Sequence, residues 1–262
     1  MIIANLIHDT PTLKASALTC STWRSVVTPH LHRTVSLRDR LPDAPEANNS
    51  ARLSPLPSLH ELGLLPFVKQ LELRKAKSTS AWVTPAIFHS QNMRYFRAMV
   101  NLQELKIANL DLFQFPVGFG EYLGHFSPTL RSVALSRPNG SRRQLLDFFR
   151  LFPMLDDIEI LDCYQRHGDE EALEDQLVPV DGRLLGRLAL SVFGEERLLK
   201  DLVVAFGGMR FTSMDLRDVR GMEIVLEACA CTLEVLRIYP DDTPFPCKRV
   251  HWSSGTFSFH LN

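Results

Sequence analysis

The residues best suited to do chemistry are few. Cys229 and Cys231, and Cys247 with His251, combine thiol and imidazole, the ligands that structural zinc sites use. A one-residue gap places two thiols poorly on a helix, and the chain has no Cys-x-x-Cys pair. Cys229 and Cys231 are therefore read as a helix end, one facing core and the other facing loop. His30 and His32 flank Leu31 at alternating spacing and are read as surface histidines. Gly118-Phe119-Gly120 is followed by Glu121-Tyr122-Leu123, without the third glycine of a dinucleotide fingerprint. No G-x-S-x-G elbow, phosphate-cradling G-x-x-x-x-G-K-[ST] loop or H-E-x-x-H pair is present. The expectation is a chain that is not an enzyme and has no cofactor and no metal.

Composition narrows the class of partner. Lys and Arg number 29 against 30 Asp and Glu, so no global field draws the chain to nucleic acid or to an anionic membrane. A protein partner is expected. Five cysteines at scattered spacing do not make a disulfide framework. The first residues, Met1-Ile2-Ile3-Ala4-Asn5-Leu6-Ile7-His8-Asp9, lack the basic start and long apolar run of a signal peptide. A cytoplasmic or nuclear location is expected.

The elements that must position any site are visible as a repeat. An apolar triplet of the form L-x-x-L-x-L recurs seven times. The hits are Val68-Leu71-Leu73, Leu102-Leu105-Ile107, Leu130-Val133-Leu135, Leu155-Ile158-Ile160, Leu185-Leu188-Leu190, Phe211-Met214-Leu216 and Leu233-Leu236-Ile238. A weaker eighth, His32-Val35-Leu37, precedes them. The steps between hits straddle the roughly 20–29 residues of leucine-rich repeats. Between hits lie amphipathic helical runs: Ile87 with Met93, Tyr95, Phe96 and Met99; Leu145, Leu146, Phe148, Phe149 and Phe152 behind an N-cap at Ser141; Leu198, Leu199, Leu202, Val203 and Phe206 closed by Gly207-Gly208; and Met222, Val225, Leu226 and Cys229. Pro66, Pro128 and Pro153 stop helices just before strands.

A strand-plus-helix unit cannot bury its apolar face alone, so stacked neighbours must share one core. The predicted fold class is α/β: a leucine-rich-repeat-like solenoid with parallel strands on one face and helices on the other, over residues 61–240. Cys163 falls at the ninth position of its repeat, where Asn or Cys bonds turn backbone, and Asn109 falls one position early.

The N-terminal stretch carries a resemblance. Leu13-Lys14-Ala15-Ser16-Ala17-Leu18-Thr19-Cys20-Ser21-Thr22-Trp23-Arg24, Pro29-His30-Leu31 and Leu31-His32-Arg33-Thr34-Val35-Ser36-Leu37 resemble the second half of an F-box. With irregular leucine-rich repeats behind it, the chain is similar to the F-box-like families of mushroom-forming fungi. The resemblance implies an adaptor that docks on the Skp1-type subunit of a cullin ubiquitin ligase while its repeats select a target protein. It implies that Leu13, Leu18, Cys20, Trp23 and Leu31 pack the helices or face the adaptor. No Leu-Pro pair precedes Met1-Ile2-Ile3; Ile2, Ile3, Leu6 and Ile7 stand where the motif's first helix would lie. The residues alone allow a second reading, in which a degenerate F-box is only a cap over the first repeat.

The expected organisation is an F-box-like helical segment over 1–39, a linker over 40–60 marked by Pro42, Pro45, Pro55 and Pro57, the repeats, and a tail or cap over 241–262. The acidic stretch Tyr164 to Pro179 reads as a solvated insertion. If the strands line one face, its outward residues form columns. Glu72, Lys106, Glu159, Asp215 and Arg237 share one; Asp157 and Arg187 another; Arg74, Arg217 and Tyr239 a third. These are the candidate partner-binding residues. Across neighbouring strands, Glu72 is expected to pair with Lys106, and Asp215 with Arg237.

Overall fold

The computed structural model describes residues 9–39, 55–75, 90–114, 123–163, 186–192, 196–205, 210–217, 222–239, 248–253 and 256–260. The acidic stretch, Gly118-Phe119-Gly120, Gly207-Gly208 and Cys247 lie outside them, as do Ile2, Ile3, Leu6 and Ile7.

Two helices open the described chain, α1 (Thr10–Thr19) and α2 (Ser21–Leu31). Asp9 caps α1, its carboxylate accepting from the Thr12 amide at 3.1 Å and from its hydroxyl at 2.6 Å. Pro29 removes one bond of the helical ladder near the end of α2, which stops at Leu31.

Ten strands then form one sheet in strict chain order. They are β1 (Thr34–Asp39), β2 (Gln70–Lys75), β3 (Glu104–Ala108), β4 (Ser132–Ser136), β5 (Asp157–Cys163), β6 (Arg187–Val192), β7 (Ser213–Arg217), β8 (Val235–Tyr239), β9 (Lys248–Ser253) and β10 (Thr256–His260). The first eight are parallel, and β9 and β10 add antiparallel. The molecule is α/β, and sequential parallel order is the order in which stacked strand–helix units add.

The register places every described triplet as its period dictates. Val35, Leu71, Leu105, Val133, Ile158, Leu188, Met214 and Leu236 make one row across the parallel strands. Leu37, Leu73, Ile107, Leu135, Ile160, Leu190, Leu216 and Ile238 make the next. Apart from the half-buried Ile238, all of these are buried in one continuous core. The alternation of two faces along a strand forces that result once one face is covered.

Helices cover it. They are α3 (Pro55–Glu61), α4 (Ser90–Arg97), α5 (Arg142–Arg150), α6 (Glu196–Ala205) and α7 (Met222–Cys229). Each contributes side chains to the same core, among them Leu56, Phe96, Phe148, Leu202 and Val225. Ser141 caps α5, as the sequence predicts, and the structure adds Gln144 to complete a capping box.

Two expected boundaries move. Residues 55–60 are helix rather than linker, and Leu56 and Leu59 are buried. Pro55 and Pro57 fall in the first turn, where backbone N–H groups have no intrahelical acceptor to lose. Gly63 (φ 66°) then reverses the chain, with the Leu64 amide donating back to the Leu59 carbonyl at 2.8 Å. At the other boundary, β1 belongs to the sheet, so the helical segment ends before Thr34.

The residues just past β3 and β4 and the irregularity near the end of β5 share one unusual backbone. Asn109, Arg137 and Asp162, each at the eighth position of its unit, have φ of 58°, 52° and 51°. The next residues, Leu110, Pro138 and Cys163, are buried. Neighbouring turns bond one another: Asn109 N donates to Ser136 O at 2.7 Å, and Arg137 N donates to Leu161 O at 2.8 Å. Asn139 Nδ2 donates to the buried Asp111 Oδ1 at 3.1 Å. Asn109 is thus a left-handed turn residue, a role that asparagine tolerates.

Candidate interaction surface

The face of the sheet opposite the helices carries all ten of the expected partner-face residues. In the central column, Ser36, Glu72, Lys106, Ala134, Glu159, Ala189, Asp215 and Arg237 follow one another in register. The chemistry of this face divides in two.

Over β6–β8 the charges satisfy one another. Asp215 is buried and accepts from Arg187 Nε at 2.6 Å and from Arg237 at 2.9 Å. The expected Asp215–Arg237 pair is present, with Arg187 as a third member. Arg217 stacks over the Tyr239 ring at 4.6 Å from its centroid. Asp157 reaches across from β5, its Oδ1 accepting from the Arg187 backbone amide at 2.7 Å.

Over β2–β5 the face sinks into an open-sided groove of about 420 Å³. Its floor is made by Lys106 and Ala108 on β3, with Ala134 and Ser136 on β4. Glu72 and Arg74 form one wall; Glu159 and Leu161 form the other. Here the expected pairing across strands is not what forms. Arg74 engages Glu72 on its own strand. That leaves Lys106 to pair with Glu104, also on its own strand, at 2.8 Å. Residues two apart on a strand point to the same face, so long side chains can meet there.

The N-terminal helices hold a second surface. They pack on each other, and Arg24 Nε donates to the Ala17 carbonyl at 3.2 Å, tying the start of α2 to the end of α1. Their buried apolar side chains are Leu13 and Val27, and neither belongs to the continuous core that runs from Val35 to Leu236. Leu18 is 79% exposed, Trp23 39% and Val26 44%. Trp23 and Val26 are three residues apart and share one helix face. Of the five motif residues, Leu13 is buried and Leu31 half-buried, while Leu18 and Trp23 face solvent. Cys20 caps α2 from an exposed position, its Sγ accepting from the Trp23 amide at 3.4 Å. Val26 went unassigned in the sequence reading, although its spacing from Trp23 was the available signal.

No protein-family model matches the chain, and no curated protein matches it. The geometry of these surfaces is therefore what bears on function.

The described cysteines sort as their helix-end placement requires. Cys229, the last residue of α7, is buried, and Cys231 in the following turn is exposed. Burial pushes the Cys229 thiol up to about 11. Among the described residues, no three His, Cys, Asp or Glu converge as a metal site. No helix there is long and apolar enough to cross a membrane. Native alkylation with iodoacetamide should label the exposed Cys20 and Cys231 readily, and the buried Cys229 far more slowly. Peptide mass spectrometry reads this out, and fast labelling of Cys229 would contradict its place in the core.

Proposed function

We propose that the chain is a non-enzymatic interaction protein, an F-box-like helical hairpin joined to a leucine-rich-repeat-like solenoid. It recruits a target protein to a Skp1-type, cullin-based ubiquitin ligase. The hairpin docks the adaptor subunit, and the open sheet face holds the target.

One observation carries this reading. The hairpin presents Leu18, Trp23 and Val26 to solvent while its own buried residues stand apart from the core of the sheet. A segment serving only as a cap would turn its apolar side chains onto the first unit. Exposed apolar side chains that include a tryptophan fit a binding hot spot instead. The repeat pattern, the parallel order of β1–β8 and the resemblance of Leu13 to Leu37 to an F-box all support the same assignment.

The test is a pull-down of purified Skp1-type adaptor by the full chain. Binding is expected, with Leu18→Asp and Trp23→Ala each weakening it by at least roughly thirtyfold, the scale of a hot-spot loss of about 2 kcal/mol. Circular dichroism should stay unchanged in both variants, because both side chains are exposed. Absence of adaptor binding in the parent chain would leave the hairpin as a degenerate cap. Removing residues 9–33 would then uncover β1 and cause aggregation rather than leave a soluble array.

A further inference from the structure

We propose that the groove over β2–β5 takes an extended segment of the target protein, with a lysine or arginine of that segment seated on Glu159. This rests on the reading of the open sheet face as the target-binding side and names what it would select.

Shape fixes the conformation of the occupant. The groove walls stand on β2 and β5, while its floor of Lys106, Ala108, Ala134 and Ser136 covers β3 and β4. Adjacent strands lie about 4.8 Å apart, so the wall strands β2 and β5 stand three spacings, about 14 Å, apart axis to axis, and the wall side chains with Lys106 take up part of that width. An α-helix with side chains is about 10–12 Å across and would ride on the walls. An extended chain is narrow enough to descend between them, its alternate side chains directed to the floor and away from it.

Charge fixes the composition. Arg74 is engaged by Glu72 and Lys106 by Glu104, so each basic side chain of the groove already has a carboxylate. Glu159 projects from β5 at the same register level as Ala134, beyond which lies Lys106. Among the described residues no cation pairs with Glu159. Glu159 is therefore the groove's carboxylate without a cation among the described residues, and it stands beside the short side chains of Ala134 and Ser136. A partly desolvated carboxylate of this kind is completed by a charge-assisted bond from an ammonium or guanidinium group. An acidic segment would instead bring its own carboxylate against Glu159.

The experiment selects a random dodecapeptide library displayed on phage against the immobilised full chain. Recovered sequences should be enriched in Lys or Arg at one fixed position relative to the unselected library. A synthetic peptide from that set should bind the Glu159→Gln variant roughly 10- to 100-fold more weakly. Selection on Glu159→Lys should invert the preference toward Asp and Glu. Ala134→Leu, which leaves every charge in place and fills the floor, should weaken the same peptide comparably. Absence of basic enrichment would overturn the proposal. So would basic peptides whose affinity is indifferent to both Glu159→Gln and Ala134→Leu. Adaptor binding is measured in parallel on Glu159→Gln and should match the parent chain. Loss of adaptor binding in the parent chain speaks against the hairpin's role alone, and an unselective groove speaks against this inference alone.

Discussion

Replacing Asp201 by alanine is expected to lower the free energy of unfolding by about 3–5 kcal/mol. Arg142 and Asp201 bond at 2.9 Å, and their side chains are 10% and 7% exposed. Arg142 opens α5 and Asp201 lies within α6, so the pair spans the helix layer between the unit of β4 and that of β6. The sheet beneath is least regular there, because the β5–β6 register shifts between Ile160 and Cys163. Truncating the carboxylate removes the Asp201 bond from a guanidinium that is largely withdrawn from water, and that penalty sets the size of the effect. An uncharged pair separates this from lost packing. Arg142→Met with Asp201→Leu removes both charges and keeps much of the volume, and it should regain most of the stability or exceed the parent. Urea unfolding of all three proteins provides the comparison. A change below about 1 kcal/mol for Asp201→Ala would mean that the pair is solvated like a surface bridge.

The sequence declared this fold where its period is enforced by burial. Val133 and Leu135 share a face with their row because a slip of one residue would turn both to solvent. The same logic put Glu72, Lys106, Glu159, Asp215 and Arg237 in one column. Side-chain pairing within the column was less legible. Register sets which residues are neighbours, whereas the carboxylate a long basic side chain meets depends on competition. Arg74 occupies Glu72, and Lys106 turns to Glu104.

Other features left little local trace. Pro55 and Pro57 read as loop formers, although a first helical turn accepts proline and Leu56 and Leu59 supply the burial that makes a helix worthwhile. Arg142 and Asp201 are 59 positions apart, with nothing in either neighbourhood to couple them. The left-handed residues at Asn109, Arg137 and Asp162 differ in type, so only the stacking of successive turns reveals their common role. In the hairpin, the F-box-like pattern identified Leu18 and Trp23 without saying which way they face. Their exposure comes from how α1 and α2 pack.

Phe148→Ala should produce a loss of the same order, about 3–5 kcal/mol, for an apolar reason. Phe148 is fully buried on α5, and its ring meets Phe149 at 5.6 Å and Phe152 at 5.5 Å, both edge-on. Alanine removes the transfer free energy of the ring and leaves a void that neighbours on the helix and on the sheet fill only in part. Phe148→Leu keeps an aliphatic plug and deletes both edge contacts, each worth about 0.5–1.5 kcal/mol, so it should fall between parent and alanine variant. The consequence for function separates the two surfaces. A domain whose stability exceeds that loss by about 2 kcal/mol or more remains more than nine-tenths folded. Leu18, Trp23 and Val26 lie outside the core that Phe148 supports. Under the proposed adaptor role, the adaptor affinity of Phe148→Ala should therefore stay within about twofold of the parent in native buffer, while its urea midpoint drops sharply. A parallel fall in adaptor binding and stability would show instead that the hairpin draws its shape from the repeat core, which is the behaviour of a cap.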